Sequence, residues 1–339
     1  MFIFVILIIF VVLKENILQL IEKVNHIHAY DFNDVALEMF YFQYKNVTTY
    51  REFCDYLGIQ VHHVNSVEQI PFLPIEFFKS RKILMEGRGY SHVFQSSTTT
   101  GNTPSSHYIV DVELYKLNIK RTFEQHFGDI SQYHFVALLP GYLERKNASL
   151  VFMVNQLMEL SGMQEKPFFL HDYENLVKYL YEYKGSKQVI LWGVTHALLQ
   201  LAAYSIDLND LIIIETGGMK GLGKELTREE LYEQLYTQLR PKAIYSEYGM
   251  TELLSHAYSS DGQNYNPSAT LAIFLRDIYS PLQLVAGCRG AINVIDLCNV
   301  YSCSFIATQD IGTKNQDNTF SVLGRLDNSE IRGCNLMSL

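Results

Sequence analysis

Between residues 91 and 265, short apolar runs alternate with amphipathic segments, and few folds accommodate that rhythm. The strand candidates are Ser91–Phe94, His134–Leu139, Gln188–Trp192, Leu211–Ile214 and Ala243–Tyr245. Helical patterns lie between them. In one, Val112, Tyr115, Ile119 and Phe123 fall on a single face. Another opens with Thr227 and Glu230 at the spacing of a capping box. Strands that alternate with helices predict an α/β fold with a largely parallel sheet.

The flanks read differently. Phe32, Val35, Ala36, Met39, Phe40 and Phe42 have near-helical spacing, and Pro71 and Pro74 interrupt the chain before Phe77 and Phe78. After residue 265 the helical patterns thin, and Leu271–Leu275, Ala291–Ile295, Ser304–Ala307 and Phe320–Leu323 read as strands. The expected division is therefore an apolar segment (1–14), a helical region (15–90), an α/β core (91–265) and a β-rich subdomain (266–339).

Met1–Leu13 is an unbroken apolar run ended by Lys14, too short for a bilayer span of roughly 20 residues. No basic residue precedes it and no small-residue cleavage site follows, so it does not match a signal peptide. A buried helix, a misassigned start and a shallow anchor making weak membrane contact all remain open. With 48% hydrophobic and 19% charged residues, the chain can bury a sizeable core. A net charge of −9 argues against broad nucleic-acid binding. The five cysteines are widely spaced, with no CxxC pair to suggest zinc, and fit a reducing cytoplasm.

Four segments could carry chemistry. Ser96-Ser97-Thr98-Thr99-Thr100-Gly101 offers hydroxyls and backbone N–H groups to phosphate oxygens, or it is a solvated loop; it lacks the ending of a Walker loop. Glu215–Gly221 (ETGGMKG) follows a strand, where Gly217 and Gly218 let a flat group approach, or it is an ordinary turn. Ser246–Glu252 (SEYGMTE) brings a ring, a hydroxyl and carboxylates together. There Glu252 could hold Mg²⁺, or its acids simply favour a helix N-terminus. Last come Asp310, then Gly324-Arg325-Leu326-Asp327, then Arg332-Gly333-Cys334, each of which also reads as a turn.

In this order the segments resemble an adenylate-forming enzyme of the acyl-CoA ligase type. Their wording is most similar to the acyl-protein synthetases of bacterial bioluminescence, the LuxE family. Leu138–Arg145 (LLPGYLER), ETGGMKG, SEYGMTELL and RGCNLM carry the narrower likeness, from roughly residue 30 onward. The resemblance implies that ATP and Mg²⁺ are used to convert a fatty acid, of long chain by the family's habit, to acyl-AMP. The acyl group then forms a thioester for transfer to a protein such as an acyl reductase. It implies that Ser96 to Gly101 hold the β- and γ-phosphates. Gly217 and Gly218 would face the adenine, with Tyr248 stacking on it beside Gly249. Thr251 would meet the α-phosphate and Glu252 the metal. Asp310 would take the ribose hydroxyls with Arg325 near the ribose or phosphate, and the acyl-accepting thiol would be Cys334.

Departures from the family pattern qualify this. Where the family has Gly, this chain has Thr98; if that position needs positive φ, a β-branched residue costs on the order of 1–3 kcal/mol. The Lys that ends this loop in many such enzymes is absent, and Ser105 and Ser106 stand there. Only 12 residues follow Asp327, where full acyl-CoA ligases carry a further domain of roughly 100 residues that supplies a catalytic Lys. Lys220 is the substitute cation suggested by position. Arg332 could lower the pKa of Cys334 from the usual value near 8.5. The alternatives are a ligase that delivers an acyl or aryl group to CoA or a carrier protein, and a degenerate protein that only binds acyl groups or nucleotide. His107 and His196 do not make a hydrolase, because no G-x-S-x-G elbow is present.

Overall fold

The computed structural model describes residues 16–96, 103–139, 147–217, 226–285 and 289–326. It divides into two compact units. One is His92–Ser106 with Asp111–Ser268; the other is built from the described parts of Met1–Ser91, His107–Val110 and Ala269–Leu339.

The first unit is the α/β core. Its sheet runs, edge to edge, Asn266–Pro267, Ala257–Ser259, Ala243–Tyr248, Ile212–Thr216, Gln188–Val194, Tyr133–Leu138, Phe168–Phe169. The last five in that order are mutually parallel, and Ala257–Ser259 and Asn266–Pro267 add on antiparallel. The α/β expectation with a largely parallel sheet is met. Every residue of Ile212–Thr216 is buried, as is every residue of Gln188–Val194 after the first. Central parallel strands are covered on both faces, which is why these runs are apolar throughout instead of alternating.

Several of the helices start where the sequence supplies caps. Asp111 accepts from the amides of Glu113 (3.0 Å) and Leu114 (3.2 Å) to open Val112–Phe127, which stops at Gly128 with φ +81. Tyr115, Ile119 and Phe123 of that helix are buried, and Val112 is half-buried. Its buried stripe also contains Asn118, whose amide donates to Leu254 O (2.7 Å) and Ser255 Oγ (3.1 Å). The Thr227–Glu230 capping box opens Arg228–Leu239: Glu230 N donates to Thr227 Oγ1 (3.1 Å) and Thr227 N to Glu230 Oε2 (2.8 Å).

In the second unit, Leu73–Pro74, Phe305–Lys314, Gly290–Asp296 and Leu271–Arg276 lie side by side, and Phe320–Arg325 also pairs with Phe305–Lys314. Pro74 sits on an edge strand, where its missing N–H costs no ladder bond. Helices Phe32–Asn46 and Thr48–Tyr56 share this unit's core. Phe305 meets Phe40 edge-on at 6.2 Å and stacks on Tyr50 at 5.8 Å. No helix among the described residues is long and apolar enough to cross a membrane, and residues 1–15 lie outside the described set.

Candidate active site

In the α/β unit the parallel strands Ile212–Thr216 and Ala243–Tyr248 end together, with Glu215 opposite Ser246 and Thr216 opposite Glu247. Successive side chains alternate between faces, so the two pairs project to opposite sides of the sheet. Each side carries a buried polar cluster.

On the first side, Glu215 has no solvent exposure. Arg228 Nη1 donates to its Oε2 at 2.6 Å, Ser246 Oγ donates to it at 2.9 Å, and the Thr195 hydroxyl donates to Oε1. Since the Ser246 proton is committed to Glu215, Tyr232 donates to Ser246 Oγ across 2.9 Å. Burial pushes the phenol of Tyr232 well above its ordinary range. Burial likewise raises Tyr265 to about 12, against the lowering effect of Arg228. Both phenols are therefore protonated donors at neutral pH.

On the other side, the Thr216 hydroxyl donates to Glu247 Oε2, and His256 Nδ1 lies 3.0 Å from Glu247 Oε1. The Tyr115 hydroxyl is 3.5 Å from His256 Nε2.

Two glycines leave the strand ends for different reasons. Gly217 has φ +83, a conformation that favours glycine, and among the described residues a Cβ built there would meet nothing within 4 Å. Thr195 Oγ1 lies 3.1 Å from the Gly217 carbonyl, but its single proton is given to Glu215 in the shorter contact. Gly249 has no left-handed backbone, but a Cβ there would overlap Glu247 Oε1.

The expected site residues fall as follows. Tyr248 ends its strand, buried, with its ring 5.9 Å from that of Tyr265. Gly249 is exposed, Thr251 half-buried and Glu252 buried in the turn that follows. Ser96 N donates to Ser105 O (3.1 Å) and Ser105 N to Ser96 Oγ (3.0 Å), which closes the base of the hydroxyl-rich loop. Asp310 and Arg325 belong to the other unit. They are register partners on neighbouring strands, with Nε 3.0 Å from Oδ1; Asp310 is buried and Arg325 mostly exposed. Ser97, Thr98, Thr99, Thr100, Gly101, Gly218, Lys220, Arg332 and Cys334 lie outside the described residues.

Among the described residues no cluster of three His, Cys, Asp or Glu side chains could hold a metal by itself. Mg²⁺ does not need one, because it is commonly bound by one or two carboxylates, waters and substrate phosphates. Glu252 alone is compatible with that mode.

Sequence reasoning did not assign Thr195, Arg228, Ser246, Glu247, His256 or Tyr115. The available signal was a charge closing an apolar strand, as Glu215 does after Leu211–Ile214. A buried charge needs a partner, but the sequence does not say which residue provides it.

No protein-family profile matches the sequence, and no curated protein does. Solved structures match by shape. 2-Hydroxyisobutyryl-CoA ligase, in its postadenylation state with R3-HIB-AMP, aligns over 87% of this chain and 68% of its own, with TM-score 0.63 and 13% identity. ATP-bound MatB from Rhodopseudomonas palustris aligns over 71% and 50%, with TM-score 0.54 and 15% identity. O-succinylbenzoate coenzyme A synthetase (MenE) from Bacillus subtilis, with AMP, aligns over 71% and 50%, with TM-score 0.50 and 16% identity. The chain thus has the fold of the large domain of adenylate-forming, acyl-CoA ligase-like enzymes. It spans about half the length of MatB and MenE.

Proposed function

We propose that this chain activates a carboxylic acid with ATP to an acyl-adenylate and passes the acyl group to a thiol. One observation carries the reading. Thr216–Gly217 and Glu247–Tyr248 leave adjacent parallel strands side by side, at the carboxyl edge where α/β sheets bind ligands. No described residue fills the space beside Gly217, which is compatible with a flat ring reaching the backbone there. The fold supports the same reading, since its structural neighbours include proteins solved with ATP or AMP.

A free carboxylate does not acylate a thiol, because oxide is a very poor leaving group. Attack of the acid's carboxylate on the α-phosphorus expels pyrophosphate and forms a mixed anhydride whose leaving group is AMP. Two anions meet in that step, so oriented donors must offset their repulsion. Thr251 would donate to the α-phosphate. Mg²⁺, held by Glu252 and the phosphates, would supply positive charge. A thiolate then attacks the acyl carbon and displaces AMP.

In the finer reading, which rests on the resemblance, the acid is a long-chain fatty acid, the thiol is Cys334 and the last acceptor is a partner protein such as an acyl reductase. The names of the neighbours favour a second reading, in which CoA takes the acyl group.

The deciding experiment is acid-dependent ATP–pyrophosphate exchange across a panel of carboxylic acids. Fatty acids are expected to support exchange, and Thr251→Val should slow it about 10²-fold, as loss of a transition-state donor does. Wild-type protein that exchanges with no acid would reduce the chain to a binding protein.

A further inference from the structure

The acyl-activation chemistry makes no use of Glu247 or His256, yet both are almost fully buried, with side chains 3% and 6% exposed. Their places in the chain matter. Glu247 stands near the end of the strand Ala243–Tyr248, and His256 immediately precedes the returning strand Ala257–Ser259. These strands are antiparallel neighbours, with Tyr248 opposite Ala257. The pair therefore closes the neck of the 249–255 turn, which carries Thr251 and Glu252. Thr216 holds the second oxygen of Glu247 from the next strand, and Tyr115 reaches His256 from the helix above. Asn118 of the same helix holds the far side of the turn through Leu254 O and Ser255 Oγ.

Gly249 lies directly against this neck. Its backbone does not require glycine, because its φ is not positive. Its side does: a Cβ would overlap Glu247 Oε1 and come within 2.7 Å of His256 Nδ1. Either atom could move only by giving up a buried hydrogen bond.

We infer that Glu247 and His256 are positioning residues whose buried contact clamps the Tyr248–Glu252 turn in its nucleotide-binding course, and that residue 249 is glycine because this clamp occupies its side-chain space. The inference rests on the proposed nucleotide site. It predicts a coupling that nucleotide contact alone would not produce. If Gly249 served only to let the nucleotide approach, its replacement would cost the same whether or not the clamp were intact.

The test is a double-mutant cycle read as ATP affinity by calorimetry, as KM for ATP and kcat in pyrophosphate exchange, and as thermal unfolding midpoint. Gly249→Ala should weaken ATP binding at least tenfold in the wild type and less than threefold in a Glu247→Ala background. His256→Asn, whose amide N–H can take the place of Nδ1 and donate to Glu247, should stay within about threefold of wild type in KM for ATP, whereas His256→Leu, isosteric with Asn, should raise it tenfold or more. Equal Gly249→Ala factors in both backgrounds, or equal effects of Asn and Leu at 256, overturn the clamp even if exchange is robust. If the wild type binds ATP but exchanges with no acid, adenylation falls and the affinity cycle still decides the clamp. Wild type that binds no ATP overturns both.

Discussion

Arg228 shows how one residue sets the terms for its neighbours. The Glu215 carboxylate is wholly enclosed, and the guanidinium at 2.6 Å is its only cationic partner among the described contacts. Hydroxyls from Thr195 and Ser246 orient the carboxylate but do not neutralise it. Glu215 is fully buried while the Arg228 side chain is 35% exposed, so removing the guanidinium leaves a buried carboxylate that solvent can partly screen, and Arg228→Met should cost on the order of 2 kcal/mol in urea unfolding. Changing Glu215→Gln in the same protein should recover most of that loss, because the charge needing a partner is then gone. An uncoupled pair of effects would mean that Arg228 acts through packing alone. At Thr98 the prediction comes from sequence: if the phosphate loop needs glycine there, Thr98→Gly should raise ATP turnover in the exchange assay.

At the scale of elements, two polar side chains tie segments together. Gln43, buried in the helix Phe32–Asn46, donates to Asn299 O (2.7 Å) and Ser304 Oγ (3.0 Å) and accepts from Ser304 N (2.9 Å). Gln43→Leu removes these bonds at a fully buried site, and unfolding should show a loss of about 2–3 kcal/mol. Asp261 holds the turn between the antiparallel strands Ala257–Ser259 and Asn266–Pro267. Its carboxylate accepts from Ser259 Oγ, from the amides of Gln263 and Asn264, and from the Asn264 side chain, all at 2.7–2.8 Å. Burial by itself would raise this carboxyl, but the Asn264, Ser259 and Gln263 donors outweigh it and hold it at about 2. A depressed folded-state pKa stabilises above the unfolded value, near 3.9, and that contribution disappears as pH falls through the folded value. Asp261→Ala should therefore be less stable than wild type at pH 6, with the gap closing between about pH 4 and pH 2 when urea midpoints are compared.

For the whole molecule, the question is where the acyl group goes. With labelled fatty acid and ATP, the proposed reading expects a hydroxylamine-sensitive label on the protein that Cys334→Ala abolishes. Arg332→Ala should slow its formation at neutral pH, if the guanidinium lowers the pKa of the thiol. Label that appears on added CoA and never on the protein would favour the CoA-ligase reading.

Periodicity was enough to place four strands of the parallel sheet, but Ser91–Phe94, expected to begin the α/β core, lies outside that sheet, as His92–Gln95 in a separate two-stranded sheet. Leu211–Ile214 and Ala243–Tyr245 are lengthened in the structure to Thr216 and Tyr248, and those added residues carry the polar groups of the candidate site. An apolar run reports that both faces of a strand are buried, and a cap reports where a helix begins, because both signals are local. The short strands Phe168–Phe169, Ala257–Ser259 and Asn266–Pro267 gave no such signal, since two or three residues cannot establish a period. The strand order and its consequences were not local either. Thr216 meets Glu247 across 31 residues and Gln43 meets Ser304 across 261, and no pattern in the chain says which strands will be neighbours. The sequence alone determined the α/β class and the segments that could bind a nucleotide. Only tertiary structure decided that Arg228 neutralises Glu215 and that His256 closes on Glu247, because a buried charge is satisfied by whatever the fold brings within about 3 Å.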